Sequence, residues 1–162
     1  MAACALPSKF VSMEPVAPGA LKKAVATPDI DQKQLVIRPQ FYDESTDNTL
    51  TVKMLDGNKI VAQKTVNACN QSIVVLPVKN MKLWSPESPF LYDLVYTVKD
   101  KAGNVVDEVK SYAGMRKVHT ANGYFYLNNK PYFQRLVLDQ GFYPDGVWTA
   151  PSDEALKHDI EM

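Results

Sequence analysis

The sequence contains little cysteine and has no excess of either charge, and each shortage excludes a class of protein. Two cysteines among 162 residues, Cys4 and Cys69, are too few for a disulfide scaffold, so we expect two unpaired thiols. Lysine plus arginine and aspartate plus glutamate both number 18. The resulting net charge of zero removes the usual electrostatic argument for binding nucleic acid or an anionic membrane surface.

Long apolar runs and clustered metal ligands are also missing. No apolar stretch approaches the roughly 20 residues needed to cross a bilayer, and residues 1–6 are too short and uncharged for a signal peptide. The two histidines, His119 and His158, lack the spacing of metal ligands. We also find no Ser/His/Asp set and no glycine-rich phosphate loop. The sequence therefore predicts no metal and no cofactor.

What the sequence does have is a period-2 alternation of apolar and polar residues, which is typical of strands. Residues 1–19 carry three prolines and predict a tail, with a short strand possible at 10–14. Pro28 is expected to end the first strand, and Pro39 predicts an edge or bulged strand. The predicted strands are residues 20–27, 34–42, 49–55, 59–66, 71–78, 90–99 and 104–112.

Two turn sequences join neighbouring strands into hairpins. Asp56-Gly57-Asn58 lies between alternating apolar runs and is the strongest short hairpin signal in the chain. Residues 101–103, Lys-Ala-Gly, predict a second hairpin. About seven strands at this spacing favour an all-β fold, an immunoglobulin-like antiparallel sandwich. One face of a central strand is predicted to line its core: Tyr92, Leu94, Tyr96 and Val98.

The pattern changes after residue 113. Asn128-Asn129-Lys130 predicts a third hairpin, because asparagine tolerates positive φ. Residues 133–138 predict a mostly apolar strand and 139–150 a loop. Ser152 is a suitable N-cap for a helix that starts with two acidic residues. With about three turns, such a helix is marginal in water unless it packs on something else.

Residues 83–92, Leu-Trp-Ser-Pro-Glu-Ser-Pro-Phe-Leu-Tyr, resemble a signature run of glycoside hydrolase family 2. That family includes β-galactosidases, β-glucuronidases and β-mannosidases. Residues 111–118 are similar to the family's aromatic-x-Gly-x-Arg exit from its sandwich, and residues 123–131 to its hairpin. Asn129 stands where the family usually has glycine.

The resemblance continues towards the C-terminus. Residues 134–140 resemble the first strand of the family's catalytic barrel, although Leu136 again replaces a glycine. Residues 142–160 are similar to one branch of the family, from an aromatic-Pro-Asp-Gly loop to the start of a helix. The resemblance implies a tail from the preceding sugar-binding domain at 1–19, the sandwich at 20–113, and the start of the TIM barrel at 114–162.

The same resemblance implies that the catalytic residues lie elsewhere in a larger enzyme. A complete barrel needs about 250 residues, and a retaining glycosidase needs two carboxyl groups about 5–5.5 Å apart. The six glutamates of this chain are predicted to be solvated, with none catalytic: Glu14, Glu44, Glu87, Glu108, Glu154 and Glu161. The implied parent is a β-galactosidase-like hydrolase, with a periplasmic or secreted location favoured. The alternative is a free-standing immunoglobulin-like binding or adhesion module.

Loops that follow barrel strands build the active site of a TIM barrel. By resemblance, five residues after the first barrel strand are candidates for binding sugar in the intact enzyme: Asp139, Gln140, Tyr143, Asp145 and Trp148. The competing interpretation is that these residues only fold the loop against neighbouring strands. Trp84 has the same two interpretations, and its proline and apolar neighbours favour a structural plug over a sugar-stacking platform.

The predicted partners are the remaining domains of the parent glycosidase, with an oligosaccharide bound only in the intact enzyme. We expect neither nucleic acid nor membrane as a partner. Residues 124–138 are rich in apolar side chains, so this segment must fold back on the sandwich, pair with a second copy or stay disordered. Self-association or disorder is favoured.

Overall fold

The computed structural model describes residues 16–44, 47–136, 138, 141–144 and 146–162. By its contacts the chain divides into two compact units, Met1–Tyr132 and Phe133–Met162. The short strand considered at residues 10–14 and the thiol of Cys4 lie outside the described residues. Cys69 is a free, half-buried cysteine.

Seven strands of the first unit form two antiparallel sheets. One has three strands in the order β1-β2-β5 and the other has four in the order β4-β3-β6-β7. The predicted all-β sandwich is therefore confirmed. The strands are β1 Leu21–Asp29, β2 Gln34–Phe41, β3 Thr49–Asp56, β4 Lys59–Asn67, β5 Val74–Pro77, β6 Tyr92–Lys99 and β7 Val105–Ala113.

Alternate residues of the central strands turn inward and form one core between the sheets. In β6 the predicted face is confirmed, since Tyr92, Leu94, Tyr96 and Val98 are all at most 2% exposed. Burial raises the pKa of the Tyr96 phenol to about 12. The cluster also takes in these buried residues of β2, β3 and β5: Leu35, Ile37, Phe41, Leu50, Val52, Met54, Val74 and Leu76.

The turns have the geometry that their residues predict. Asp56 pairs with Lys59 across the β3–β4 turn, where Gly57 has φ +58°. The β6–β7 turn contains Gly103 at φ +89°, and the Asp100 carboxylate accepts a hydrogen bond of 2.8 Å from the Asn104 amide. Glycine provides these positive φ values without steric cost. Both predicted hairpins are confirmed.

The first strand differs from its prediction at a proline. Pro28 was expected to end the strand, but β1 continues to Asp29 with Pro28 opposite Leu35. β1 lies at the edge of its sheet, where a residue without an N–H leaves no neighbouring carbonyl unpaired. Pro39 pairs with Ala24 of β1, beyond the end of the stretch that pairs with β5. The prediction of an edge strand is therefore wrong, because β2 lies between β1 and β5. Pro39 itself lies outside the stretch of β2 that pairs with β5, so its missing N–H leaves no bond to β5 unmade.

Side chains take over backbone hydrogen bonding where strands end. The Leu21 amide donates to Asp107 Oδ2 of β7 at 2.9 Å, which links the edges of the two sheets. The Phe41 amide lies in the part of β2 that extends beyond its pairing with β5, and it donates to Asn70 Oδ1 at 2.8 Å. The Asn70 side chain thus supplies an acceptor where the pairing with β5 has ended.

A third, small antiparallel sheet follows the sandwich in the same unit. Its strands are β8 Val118–Ala121, β9 Tyr124–Leu127 and β10 Lys130–Pro131, in the order β10-β9-β8. Asn128 and Asn129 form the β9–β10 turn with φ of 53° and 64°, which confirms the third predicted hairpin. The β8–β9 hairpin was missed, although its turn, Asn122-Gly123, is a strong hairpin signal.

Among its described residues, the second unit has the helix α1 Asp153–Glu161. The predicted N-cap is confirmed, because the Ala155 amide donates to Ser152 Oγ at 3.2 Å. The helix buries none of its residues. The strand predicted at 133–138 is wrong for the residues that the structure describes, 133–136 and 138, which belong to no strand. Pairing with a neighbouring strand is what defines a strand, and none of the described strands pairs with this segment. No described helix is long and apolar enough to cross a membrane.

We predict that shortening a central core side chain to alanine lowers stability far more than truncating an exposed aliphatic side chain. Leu50→Ala, at a fully buried position of β3, should reduce the free energy of unfolding by about 2–5 kcal/mol. Val105→Ala, at a position 56% exposed on β7, should cost less than about 0.5 kcal/mol. Urea denaturation measures both values, and equal losses would contradict the assigned core.

Candidate functional site

The proline-punctuated linker, residues 83–92, is attached to the segment that leaves the sandwich. Leu83 and Met115 form an isolated parallel bridge, and the Trp84 amide donates to the Met115 carbonyl at 3.0 Å. Ser85 and Ser88 exchange backbone hydrogen bonds of 3.0 Å and so form a tight turn around Pro86. These bonds fix the indole of Trp84 against the end of the last sandwich strand.

Trp84 is held in place on both its ring and its backbone. The guanidinium carbon of Arg116 lies 4.8 Å from the ring centroid, within the range of a cation–π contact. A Cβ on Gly114 would come within 3.3 Å of both the Trp84 and Leu91 side chains, so glycine permits this close approach. The aromatic-x-Gly-x-Arg pattern thus has a packing role here, and these contacts favour the structural interpretation of Trp84.

A surface pocket of about 410 Å³ opens beside this contact. Trp84 and Tyr112 supply aromatic surface, and the Tyr112 side chain is 68% exposed. The remaining lining residues are mostly small or apolar: Ala26, Pro28, Leu91, Ala113, Gly114 and Arg116. With one guanidinium and no carboxylate among its lining, the pocket suits packing and lacks the paired acids of a glycosidase site.

The β9–β10 turn is joined to the linker by one asparagine. Asn128 Nδ2 donates to the Trp84 carbonyl at 2.9 Å, and Asn128 Oδ1 accepts from the Lys117 amide at 3.1 Å. The Asn128 amide in turn donates to the Lys117 carbonyl at 2.8 Å. One half-buried side chain therefore ties the linker, the exit segment and the small sheet together.

In the second unit, two of the five predicted sugar-binding residues fall on one tight turn. Tyr143 and Val147 exchange backbone hydrogen bonds of 2.9 and 3.0 Å. A Cβ on Gly146 would lie 2.1 Å from the Thr149 carbonyl oxygen, so only glycine fits there. Trp148 is 82% exposed, with its ring edge-to-face against Phe142 at a centroid distance of 6.4 Å.

The phenol of Tyr143 is engaged with the helix, because its hydroxyl donates to Asp159 Oδ2 at 2.9 Å. The other three predicted residues, Asp139, Gln140 and Asp145, lie outside the described residues. The structure therefore brings Tyr143 and Trp148 onto the same turn, and their role in binding sugar stays a prediction.

All five glutamates that the structure describes are exposed, and Glu14 lies outside the described residues. The pKa of Glu87 is lowered by hydrogen bonds from its own amide and from Ser85. The pKa of Glu154 is lowered by its own amide and by Ser152. A glycosidase acid needs a raised pKa instead. Within the described ranges, no group of three or more potential metal ligands is present.

Comparison with known proteins assigns the family. The family model described as glycosyl hydrolases family 2 matches residues 21–116. The chain belongs to glycosyl hydrolase family 2. It is 32% identical over 127 residues to a β-galactosidase of Leuconostoc mesenteroides, and this match covers 70% of the chain and 12% of that relative. It is 28% identical over 127 residues to a β-galactosidase of Lactococcus lactis, which covers 78% of the chain and 12% of the relative.

Solved structures of family 2 proteins share the fold. Two structures of a β-glucuronidase from Ruminococcus gnavus have TM-scores of 0.58 and 0.60 at 23% and 22% identity. The matches cover 69% and 72% of this chain but only 18% and 19% of those chains. At this identity the likeness shows the fold alone. The chain thus spans under a fifth of the length of the family members that it matches.

We predict that the Asn128 side chain contributes measurably to stability. Asn128→Ala removes a donor to Trp84 and an acceptor for Lys117, and it places alanine at φ +53°. The free energy of unfolding should fall by about 1–3 kcal/mol. Asn58→Ala, in the exposed β3–β4 turn, is the matched control and should change stability by less than about 0.5 kcal/mol. Losses of the same size in both variants, measured in urea, would contradict this role.

Proposed function

We propose that the chain is the supporting sandwich portion of a β-galactosidase-like family 2 hydrolase. The parent cleaves β-glycosidic bonds with retention, through two glutamates that this chain does not supply. The match of the family model to residues 21–116, on a chain that spans 12% of a β-galactosidase, carries the proposal. The exposed glutamates support it, because two of them have lowered pKa values.

The proposed organisation keeps the three expected segments. Residues 1–19 come from a preceding sugar-binding domain, 20–113 are the sandwich, and 114–162 are the start of the catalytic barrel. The sandwich acts as a spacer that holds the two neighbouring domains in register. The continuous core of β2, β3, β5 and β6 supports this role, because a close-packed interior transmits position with little deformation.

We also propose that residues 139–148 contribute to the sugar subsite of the parent. Trp148 would stack on a sugar ring and Tyr143 would help hold the loop on the helix, with Asp139, Gln140 and Asp145 hydrogen-bonding hydroxyl groups. The 82% exposure of Trp148 supports this, because a largely exposed indole offers aromatic surface on which a sugar ring can stack.

A replacement experiment tests the main proposal. The segment of the Leuconostoc mesenteroides β-galactosidase that matches residues 21–116 is exchanged for this chain's own, and 4-nitrophenyl β-galactoside hydrolysis is measured. We expect activity to be retained with the family sandwich and lost with an unrelated immunoglobulin-like sandwich as control. A folded, soluble replacement without activity would contradict the supporting role.

The chain by itself should not hydrolyse aryl β-galactosides, β-glucuronides or β-mannosides, because it lacks a catalytic pair of carboxyl groups. Hydrolytic activity that stays with the chain through successive purification steps would overturn the proposal. Specific binding of an intact partner without any link to a glycosidase would favour the alternative of an adhesion module.

Self-association is the second expected property of the isolated chain. Tyr124–Leu127 folds back within the chain as β9, and Leu127 is buried. The following unit has these exposed large apolar side chains: Phe133, Leu136, Leu138, Phe142, Val147, Trp148, Leu156, Ile160 and Met162. Apolar surface of this kind is usually covered by a partner. We propose that, when the chain is isolated, a second copy of it covers these side chains.

Sedimentation velocity over a concentration series measures this association. We expect a concentration-dependent dimer or larger species for the chain, and a shift towards monomer in the variant Phe133→Ser/Leu136→Ser. Val105→Ser, at an exposed site of β7, is the control and should associate like the unchanged chain. A strict monomer at all concentrations would contradict the proposal.

A further inference from the structure

A single carboxylate joins the sandwich to the small β8–β9–β10 sheet. Asp31 lies in the turn between β1 and β2, and its Oδ1 accepts a hydrogen bond of 2.7 Å from Asn129 Nδ2. Its Oδ2 forms a short ion pair with Lys117 Nζ. The two partners are 98 and 86 residues away along the sequence, so these contacts join distant parts of the chain.

The turn that presents Asp31 is itself well fixed. The Gln32 amide donates to Asp29 Oδ1 at 3.0 Å, a local bond that shapes the turn. Lys33 has φ +53°, and its carbonyl accepts from the Val78 amide at 2.8 Å, next to the end of β5. The Asp31 carboxylate is therefore positioned by the sandwich where it can accept hydrogen bonds from Asn129 and Lys117.

The two donors belong to one local structure on the other side. Lys117 directly precedes β8, and Asn129 lies in the β9–β10 turn. The reciprocal bonds between Lys117 and Asn128 hold these two segments together. The Asp31 carboxylate contacts both donors, and it therefore bonds to the residue before β8 and to the β9–β10 turn at the same time.

The small sheet has little burial of its own. Its strands contain four, four and two residues, and a structure of this size is marginal in water without further packing. Among residues 118–131, all of which the structure describes, only Leu127 is buried. The stability of the sheet must therefore come from the contacts that attach it to the sandwich.

We propose that Asp31 is a clasp that keeps the β8–β9–β10 sheet closed on the sandwich, and that its loss lets this sheet open while the sandwich stays folded. The inference depends only on these contacts and not on the function proposed above. Asn128 forms the second attachment, to the Trp84 carbonyl. Opening without Asp31 is thus partial, and it concerns the start of β8 and the β9–β10 turn most.

Acid should release the clasp. Hydrogen bonds from Lys117 and then Asn129 lower the pKa of Asp31 below its ordinary value of 3.8, and the charge of His119 acts in the same direction. Because the folded-state pKa is lowered, the stabilisation is present above 3.8 and is lost as the pH falls through the folded value. The groups that face the carboxylate are Lys117, Asn129 and His119.

Hydrogen exchange of the whole 162-residue chain tests the clasp, with mass spectrometry resolving residues 118–131 from strands β3 and β6. For Asp31→Asn we expect exchange in 118–131 to be about three- to fivefold faster, with β3 and β6 unchanged. Asp100→Asn is the matched control. It removes a carboxylate bonded to Asn104 within its own turn, and it should leave 118–131 unchanged.

Two further measurements separate a clasp from a general loss of stability. The effects of Asp31→Asn and Lys117→Met should be non-additive, since either change breaks the same ion pair. After correction for intrinsic exchange, opening in the unchanged chain should approach that of Asp31→Asn as the pH falls from 3.8 through the lower folded-state pKa, while Asp31→Asn itself changes less with pH. Unchanged exchange of 118–131 in Asp31→Asn, additive effects, or equal acceleration in Asp100→Asn would each overturn the proposal.

Discussion

The fold depends on the close packing of two inner faces, one from each sheet. Fully buried side chains of β2 and β5 meet those of β3 and β6 in one cluster. Burial of this apolar surface is the main favourable term for a domain of this size. The turns, the linker and the small third sheet attach to a body that this packing has already made rigid.

Several of the attachments among the described residues are polar, and these join segments far apart in sequence. Trp84 bonds to Met115, Asn128 to Trp84, and Asp31 to Lys117 and Asn129. The ion pair between Asp31 and Lys117 lies on a partly exposed surface and by itself stabilises little. Together the attachments give the exit segment one position relative to the sandwich. A fixed position of this kind is consistent with the proposed role as a spacer.

Sequence reasoning located the sandwich well because its signals are local. The alternation in β6 and the Asp56-Gly57 turn can both be read from adjacent residues. The end of β1 was misplaced, because whether Pro28 is tolerated depends on the strand lying at a sheet edge. The strand at 133–138 was inferred from apolar content, which does not supply a pairing partner.

The polar attachments could not be read from the sequence in the same way. Asp31 and Asn128 act through residues dozens of positions away, and no periodic pattern marks such pairs. His119 illustrates the same limit: lacking metal-ligand spacing, it instead stacks on Tyr126 across the β8–β9 pair at 4.9 Å. Tyr143 and Trp148 do share one turn, because their short separation makes that geometry local.

The contact between Leu21 and Asp107 has a consequence for how the molecule behaves in a crowded solution. Edge strands with free amides are templates on which other chains can add and polymerise. At the beginning of β1 the Asp107 carboxylate occupies an amide that an incoming strand would need, and it brings a negative charge to that edge. An incoming strand would have to displace this charged acceptor before it could bond to the Leu21 amide, so the beginning of β1 is protected against edge-to-edge pairing.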